Sequence, residues 1–317
     1  GNSVTSTPLL SLHHARIDRD GSLLCENIDL EIDGPRVVVA GPGADAVLEA
    51  ICMTANVSKG HVRISGYDVS TRSHVGRVGI APSDLPLPQR MSVEQYLILY
   101  YRTLGFSKRE ANHATMTSLS DLGLTHLASR QSNSLTLSER KAVTIAAAML
   151  PNAPCLVAHS PLRGIEKPES HGILSVLGQV ANRRQVLVST SRWDAEGVDA
   201  ELMAGATHIA FLSRHATLWS GPTSHLFSEG KQAALLVSGT DDAFVRALAQ
   251  QGFDPTGKLP RIVVRIDDPN GTSRLLSIAN EYDVAIIQMI PLWQPPRAPS
   301  SSEPEVGPND QEPPSHD

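Results

Sequence analysis

Three residues whose side chains can do chemistry follow apolar runs of this sequence. His159 and Ser160 come after LVA, and Ser191 comes after VLVST. Because neighbouring parallel strands end at the same edge of a sheet, these side chains are expected to lie close together. A histidine beside serines suggests nucleophilic catalysis, but neither serine lies in the G-x-S-x-G turn that exposes a nucleophilic serine. A catalytic triad or dyad is therefore the less favoured interpretation.

The composition excludes several classes of function. The chain has 317 residues, a formal net charge of -6 and no dense Lys/Arg cluster, so nucleic acid is not an expected partner. It has no long apolar run and no secretory leader pattern, which predicts a cytoplasmic chain. Cys25, Cys52 and Cys155 are scattered among apolar residues, which is typical of reduced core thiols rather than of a disulfide or metal site.

Strand and helix patterns alternate along most of the chain. LLSLHHARID, LLCENIDLEI and RVVVAG are typical of strands, ADAVLEAICMTA has helical spacing, and HVRISGYDV returns to a strand. Three helical patterns then follow one another: VEQYLILYYRTLGF, KREANHATMTSLSDLGL and SERKAVTIAAAML. PCLVAHS, RRQVLVSTS and ATHIAFLSRHATLWSG restore strands. The pattern predicts an α/β domain with a helical insertion, built on a largely parallel sheet covered on both faces.

Changes in composition divide the chain into segments. We expect a short tail at 1–7, a main domain at 8–228 with its helical insertion at about 92–150, and a small α+β domain at 231–293. The small domain alternates the strands AALLVSG, RIVVRID and VAIIQMIPL with two helical patterns. Residues 294–317 are rich in Pro, Ser and acids without regular apolar spacing, so a disordered tail is expected.

The chain resembles a known family in six stretches that occur in the family's order. They are RVVVAGPGADAVLEAI, KGHVRISGYDV, GIAPSDLPLPQRMSVEQYL, SNSLTLSERKAVTIAAAML, PCLVAHSPLRGIEK and VLVSTSRWDAEGV. From Pro8 to about Ser228 the chain resembles the nucleotide-binding subunit of an ATP-binding-cassette (ABC) transporter. More narrowly, it resembles the exporter type whose ATPase is a separate chain with a small C-terminal domain. The resemblance implies a P-loop-NTPase-like parallel sheet, an ATP and magnesium site, and a dimer bound to a membrane-spanning subunit.

The resemblance places the phosphate loop directly after RVVVA. The loop comprises Gly41, Pro42, Gly43, Ala44, Asp45, Ala46 and Val47. Such a loop uses glycine N–H groups, a lysine and a magnesium-binding hydroxyl to hold the phosphates. The lysine and hydroxyl positions fall on Ala46 and Val47, or on Val47 and Leu48 if no gap is allowed. Asp45 adds a negative charge, which repels a triphosphate more than a helix N-terminus attracts it. We therefore expect a degenerate loop that does not bind phosphate.

The other catalytic positions implied by the resemblance are also replaced. Ser83 stands at the glutamine that contacts magnesium and water, and Ser191 stands at the switch histidine. His159 stands at the magnesium aspartate and Ser160 at the general-base glutamate. A serine is not a base at neutral pH, and magnesium prefers oxygen ligands to a histidine. No metal and no cofactor are expected, and ATP with magnesium is expected only if an atypical loop still binds nucleotide.

The signature segment has two interpretations. The resemblance aligns Leu-Ser-Gly-Gly-Gln with Leu135, Thr136, Leu137, Ser138 and Glu139. This keeps one hydroxyl but no glycine to approach a nucleotide on a partner chain. Alternatively, Thr136-x-x-Glu139 before an apolar run is a capping box that begins a helix. We favour the capping box because it explains the whole run from Thr136 to Glu139, whereas phosphate contact explains only the hydroxyl.

His13 and His14 are a further candidate for metal binding. Adjacent residues of a regular strand point to opposite faces, so the pair is expected not to chelate one ion. Ordinary interior or edge histidines are the favoured interpretation.

Taken together, the residues predict a catalytically inactive ABC-type subunit of a membrane exporter, with enzyme activity left open. We expect it at the inner face of the cell membrane, paired with itself or with an intact ATPase chain. The surface from Ser83 to Val93 is expected to dock the membrane subunit, although its apolar DLPLPQRMSV equally suits an ordinary loop. The resemblance implies that the C-terminal domain aids dimer contact or regulation. Two alternatives are a scaffold that uses the fold without transport, and a subunit with weak ATP binding or hydrolysis.

Overall fold

The computed structural model describes residues 6–191, 198–226, 231–239 and 241–292. Its strands are β1 (Leu10–Arg19), β2 (Ser22–Ile32), β3 (Arg36–Ala40), β4 (Asn56–Ile64), β5 (Tyr67–Asp68), β6 (Gly79–Ala81), β7 (Cys155–Ala158), β8 (Gln185–Thr190), β9 (His208–Leu212), β10 (Thr217–Pro222), β11 (Lys231–Val237), β12 (Thr256–Lys258), β13 (Arg261–Ile266) and β14 (Ile286–Leu292). Its α-helices are α1 (Pro42–Ile51), α2 (Val93–Thr103), α3 (Lys108–Asp121), α4 (Leu137–Ala147), α5 (Lys167–Ala181), α6 (Asp199–Ala204), α7 (Asp242–Gln250) and α8 (Gly271–Glu281). Within these ranges, every helix is too short or too polar to cross a membrane.

The central sheet has the strand order β10-β9-β3-β8-β7-β6. Neighbouring strands are parallel except for β10 and β9. Successive residues of β3 face two different cores, with Val37 and Val39 in one and Val38 and Ala40 in the other. Because both faces are covered, the strands are continuous apolar runs. The predicted α/β architecture with a largely parallel sheet is confirmed.

One face of the central sheet is covered by α1 and a separate antiparallel sheet of order β2-β1-β4-β5. The sequence predicted these strands but not their separate sheet, since the periodicity of one strand does not identify its partner. The predicted strand HVRISGYDV is divided at Ser65 and Gly66, which have φ values of +48° and +82°. The chain therefore reverses there, and β5 pairs antiparallel with β4.

The other face is covered mainly by the helical insertion of α2, α3 and α4 together with α5. Each helix of the insertion begins with a capping box, at Ser92, Ser107 and Thr136 respectively. The buried Tyr101 joins α2 to α4, because its hydroxyl donates to the carbonyl of Ala146 at 3.0 Å. The predicted three-helix insertion is confirmed.

The C-terminal unit is an antiparallel sheet of order β12-β13-β11-β14. Helices α7 and α8 cover one face, where Phe244, Leu248 and Leu275 are buried. Residues on the other face, including Val263 and Ile290, pack into the core of the main unit. The small α+β unit was predicted, whereas β12 was not, because its sequence TGK is short and polar.

The thiols and the chain segments follow the predictions in part. Cys25 and Cys155 are buried and free, whereas Cys52 is partly exposed. Burial raises the pKa of the Cys155 thiol to about 11, so this thiol is unreactive.

Three predicted features of the chain lie outside the described residues. They are the tail at 294–317, residues 1–5 of the N-terminal tail and the domain boundary at 228–230.

Candidate functional site

The turn between β3 and α1 is a single residue. β3 ends at Ala40, and α1 begins at Pro42. Between them Gly41 has a φ of +105°, which side-chain-bearing residues rarely adopt. The N–H of Gly41 donates to the carbonyl of Thr190 at 2.9 Å, and Pro42 has no N–H. Neither residue at the start of this turn therefore offers a free N–H to a phosphate.

The next residues of α1 face the core. A Cβ at Gly43 would collide with the backbone carbonyl of Ser213, so close packing of the helix on the sheet requires this glycine. Ala44 is also fully buried, and the two candidate lysine positions, Ala46 and Val47, are only 3% and 0% exposed. These positions point into the protein, where a lysine would be a buried unpaired charge.

Asp45 connects the start of α1 to the end of β7. Its Oδ1 lies 2.6 Å from His159 Nε2 and 2.8 Å from Arg163 Nη2. The His159 side chain is 7% exposed and the Asp45 side chain 28% exposed, so most of this contact is shielded from water. We call Asp45, His159 and Arg163 the Asp45 cluster.

Burial and neighbouring groups have opposite effects on the pKa of Asp45. Partial burial raises the pKa, but the hydrogen bonds and positive charges of His159 and Arg163 lower it by more. The net result is a pKa below the usual value of 3.8. The carboxylate is therefore stabilised in its charged form, and it engages the imidazole and the guanidinium that stand beside the turn.

The two serines of the candidate catalytic set do not join His159. Ser160 is buried with a φ of +42°, and its Oγ lies 3.5 Å from Asp45 Oδ1 and 3.4 Å from Arg163 Nη2. Ser191 is exposed just after β8. Within the described residues no hydrogen bond links His159 to Ser160 or Ser191. Among the residues that the structure describes, His159 therefore does not act as the activating base of either serine.

The signature segment forms the start of α4. Thr136 Oγ1 accepts the N–H of Glu139, and Glu139 Oε1 accepts the N–H of Thr136, both at 3.1 Å. Glu139 Oε2 also lies 3.1 Å from Arg130 Nη1. The capping-box interpretation is confirmed, and both oxygens of the Glu139 carboxylate have partners within the chain.

A groove of about 530 Å³ lies at the predicted docking surface. The segment 83–89 forms one side, and α4 forms the other through Leu137, Arg140 and Lys141. Lys141 Nζ donates to the carbonyl of Ser83 at 3.3 Å. Burial lowers the pKa of Lys141, although nearby Asp84 opposes this effect. The predicted surface thus contains a concave site lined by apolar residues, by Arg140 and Lys141 and by the acidic Asp84.

Comparisons with curated proteins identify transport proteins as relatives, although no protein-family profile matches the chain. The chain is 26% identical over 274 residues to the molybdenum import ATP-binding protein ModC of Bordetella pertussis, covering 83% of this chain and 71% of ModC. It is 24% identical over 191 residues to the lipoprotein-releasing system ATP-binding protein LolD of Francisella tularensis, covering 56% and 82%. A match of 183 residues to the retinal-specific phospholipid-transporting ATPase ABCA4 of Mus musculus, at 24% identity, covers 57% of this chain and 8% of ABCA4. The chain therefore spans less than a tenth of that relative.

Solved structures share the fold. A nucleotide-free ATP-binding cassette from an ABC transporter aligns over 68% of this chain and 91% of its own length, with a TM-score of 0.56 and 16% identity. A bacterial ABC transporter cassette in a dimeric structure aligns over 68% and 98%, with a TM-score of 0.54 and 16% identity. The chain has the fold of an ATP-binding cassette. The P-loop-NTPase-like core expected for a cassette is confirmed, and at these identities the likeness establishes the fold alone.

Residues 41–48 of the turn supply neither the lysine nor the hydroxyl with which the fold family holds magnesium–ATP. Oxygen ligands are what magnesium requires, but the Oδ1 of Asp45 is already bonded to His159 and Arg163. The positions that would supply the phosphate-binding lysine, Ala46 and Val47, are buried. The described residues of the turn thus lack groups through which the fold family binds this ligand.

Sequence reasoning missed two cations of the cassette. Arg163 lies four residues after His159 and was not linked to Asp45, because 118 residues separate the two. Lys141 was passed over as part of a helical pattern, and only the fold brings it to Ser83. In both cases the sequence signal was one cationic residue close to a candidate site residue: Arg163 follows Ser160 by three residues, and Lys141 follows Glu139 by two.

The expectation that His13 and His14 point to opposite faces is wrong. Their ring centroids are 4.4 Å apart, and both rings lie beside Asp29. The reason is an irregularity in the pairing of β1 with β2 after Leu12.

Proposed function

We propose that this cassette is an ABC-transporter ATP-binding-type subunit of a membrane exporter that does not hydrolyse ATP. In this proposal it acts as a structural or regulatory partner, paired with an intact ATPase chain or with itself. The observation that carries the proposal is the Asp45 cluster. In this cluster a carboxylate of the chain itself binds His159 and Arg163, beside the turn that the resemblance assigns to phosphate.

The chemistry of hydrolysis supports this reading. Phosphoryl transfer to water depends on cations that neutralise the γ-phosphate and on a group that orients the water. Around the turn, Asp45 engages both His159 and Arg163, and the base position carries Ser160. A hydroxyl does not accept a proton at neutral pH without a base of its own.

Membership of a transporter is supported by the relatives. They are named for molybdenum import, lipoprotein release and phospholipid transport, which are all transport functions. The assignment to an exporter rests on the resemblance of the appended C-terminal unit to that of separate-chain exporter ATPases. The dimeric structure of a cassette with this fold supports pairing with a second cassette.

Docking to a membrane subunit at the inner face of the membrane is the second part of the proposal. The groove between segment 83–89 and α4 combines Leu85 and Leu87 with Arg140 and Lys141. Such a groove suits a short amphipathic helix that carries acidic residues.

The first experiment measures ATP hydrolysis and the binding of fluorescent ATP with magnesium by the purified chain. We expect no phosphate release above a protein-free control and no saturable binding up to millimolar nucleotide. Saturable binding in the micromolar range would overturn the inactive-subunit proposal and favour the alternative of a weak ATPase. Replacement of Ala46 by Lys is a poor test, since Ala46 is buried.

A second experiment separates a transporter subunit from a scaffold without transport. Cell membranes are sedimented, and the bound fraction of the chain is compared for wild type, Arg140→Glu in the groove and the control Arg109→Glu on α3. Both arginines are exposed, so both variants are expected to fold. We expect only Arg140→Glu to leave the membrane fraction. Equal sedimentation of the two variants would contradict docking through this groove.

A further inference from the structure

The two adjacent histidines of β1 lie in a bulge. Leu12 and Ala15 have regular partners on β2, which leaves His13 and His14 opposite the single residue Asp29. Two residues opposite one interrupt the alternation of side chains along a strand. His14 accordingly has a φ of +42°, and the two rings lie 4.4 Å apart.

The neighbouring strands are adapted to this bulge. A Cβ at Gly60 would collide with the carbonyls of His13 and His14, so only glycine lets β4 pass beside them. Asn27 on β2 also has a positive φ, of +54°. Such backbone conformations are unfavourable for residues with side chains and are concentrated at functional sites.

The distances within the bulge match those between ligands of one metal ion. His13 Nδ1 lies 3.7 Å from Asp29 Oδ1, and His14 Nδ1 lies 3.4 Å from Asp29 Oδ2. The three ligand atoms all lie within 4.8 Å of one another. Around a tetrahedral zinc ion with bonds of about 2.0 to 2.1 Å, neighbouring ligand atoms are about 3.4 Å apart.

The carboxylate is also held in place by the backbone. The N–H of His14 donates to Asp29 Oδ1 at 2.8 Å. Hydrogen bonds of this kind fix the orientation of metal-binding carboxylates. The side chain of Asp29 is therefore aimed at the two rings before any ion arrives.

We propose that His13, His14 and Asp29 bind one divalent transition-metal ion of the zinc type. Two imidazole nitrogens and one carboxylate oxygen suit Zn²⁺, Ni²⁺ or Cu²⁺ and do not suit Mg²⁺. His14 Nδ1 now contacts Asn27 Oδ1 at 3.1 Å, and it exchanges this contact for the ion. Asn27 Oδ1 or a water molecule is then available as the fourth ligand of the ion. This site replaces the expectation that the pair binds no metal.

The site is open to ions from solution. The side chains of His13 and Asp29 are 69% and 42% exposed, and both residues line a cleft of about 520 Å³. The same exposure predicts that their replacement disturbs folding little. Without a metal, the exposed contacts of Asp29 with the two imidazole rings contribute almost nothing to stability.

The test is a calorimetric titration of the full chain, free of any polyhistidine tag, with Zn²⁺. We expect one ion per chain, no heat of binding with Mg²⁺, and a rise in the thermal midpoint on adding Zn²⁺. Asp29→Asn and His13→Ala are each expected to weaken Zn²⁺ binding at least about tenfold. His113→Ala, which removes an exposed histidine of α3, is the matched control and is expected to bind as wild type does.

Two results would overturn the metal site. One is the absence of saturable Zn²⁺ binding by the wild-type chain. The other is Zn²⁺ binding that is equally strong in wild type, Asp29→Asn and His13→Ala, because the ion would then lie at other groups such as the thiols. Circular dichroism of each variant confirms that it is folded before it is titrated.

Discussion

Helices α1 and α4 each carry an acidic residue in their first turn that an arginine contacts, but the partners of the two acids lie at different distances along the chain. At α4, Glu139 bonds to Thr136 and Arg130, which precede it by three and nine residues. At α1, Asp45 bonds to His159 and Arg163, which follow it by 114 and 118 residues. Glu139 of α4 therefore makes contacts only within one short segment. Asp45 of α1 instead connects two distant parts of the chain, because it binds the imidazole and the guanidinium beside the turn.

The largest difference is expected when the acid of α1 is removed. Asp45→Ala leaves His159 and Arg163 without their shared partner, and the loss of two hydrogen bonds to a partly buried carboxylate costs about 2 to 3 kcal/mol of unfolding free energy. The measurement is urea unfolding at neutral pH. The matched control is Glu49→Ala on the same helix, whose partner Arg19 is 49% exposed, and it is expected to cost about 1 kcal/mol or less. Equal losses in the two variants would show that the Asp45 cluster has no special structural role.

Gly43→Ala tests whether packing or phosphate explains the glycine of α1. The new Cβ meets the backbone carbonyl of Ser213, and overpacking of this kind costs about 2 kcal/mol. The control is Gly178→Ala in α5, where a Cβ meets nothing within 4 Å, and a gain of about 0.5 to 1 kcal/mol is expected. If Gly43→Ala is as stable as wild type in urea, packing does not require this glycine.

Removal of the cap of α4 is expected to have a smaller effect. Thr136→Ala deletes the hydroxyl that accepts the N–H of Glu139, at a cost of about 1 kcal/mol. Thr117→Ala, at an exposed position inside α3, is expected to be neutral or slightly stabilising. A loss from Thr136→Ala as large as that from Asp45→Ala would remove the contrast between the two helix starts.

The pH dependence of stability should show the smallest effect. The pKa of Asp45 is below its usual value of 3.8 in the folded chain, so the unfolded chain binds a proton more readily. The stabilisation by Asp45 is therefore complete above the usual pKa and is lost as the pH falls through the lower, folded value. Urea unfolding from about pH 7 to about pH 3 should show wild type and Asp45→Asn converging at the acid end. A constant difference over this range would contradict the assigned shift.

The sequence predicted those features whose causes lie within a few residues. The apolar runs identified the strands of the central sheet, and Thr136 with Glu139 identified the start of α4 because both residues lie in one helical turn. The Asp45 cluster could not be predicted, since its members meet only after β3 and β7 join the same sheet. The bulge at His13 and His14 was missed for a different reason, because a period of two was assumed where one extra residue interrupts it.

The most direct test of the central claim is the binding of fluorescent ATP by wild type, Asp45→Asn and Glu49→Gln under identical conditions. Asp45→Asn keeps the size of the side chain and removes the charge that occupies His159 and Arg163. If Asp45 takes the place of a phosphate, wild type and Glu49→Gln show no saturable binding, and Asp45→Asn gains measurable affinity for ATP. Micromolar binding by wild type that Asp45→Asn leaves unchanged or weakens would contradict the account.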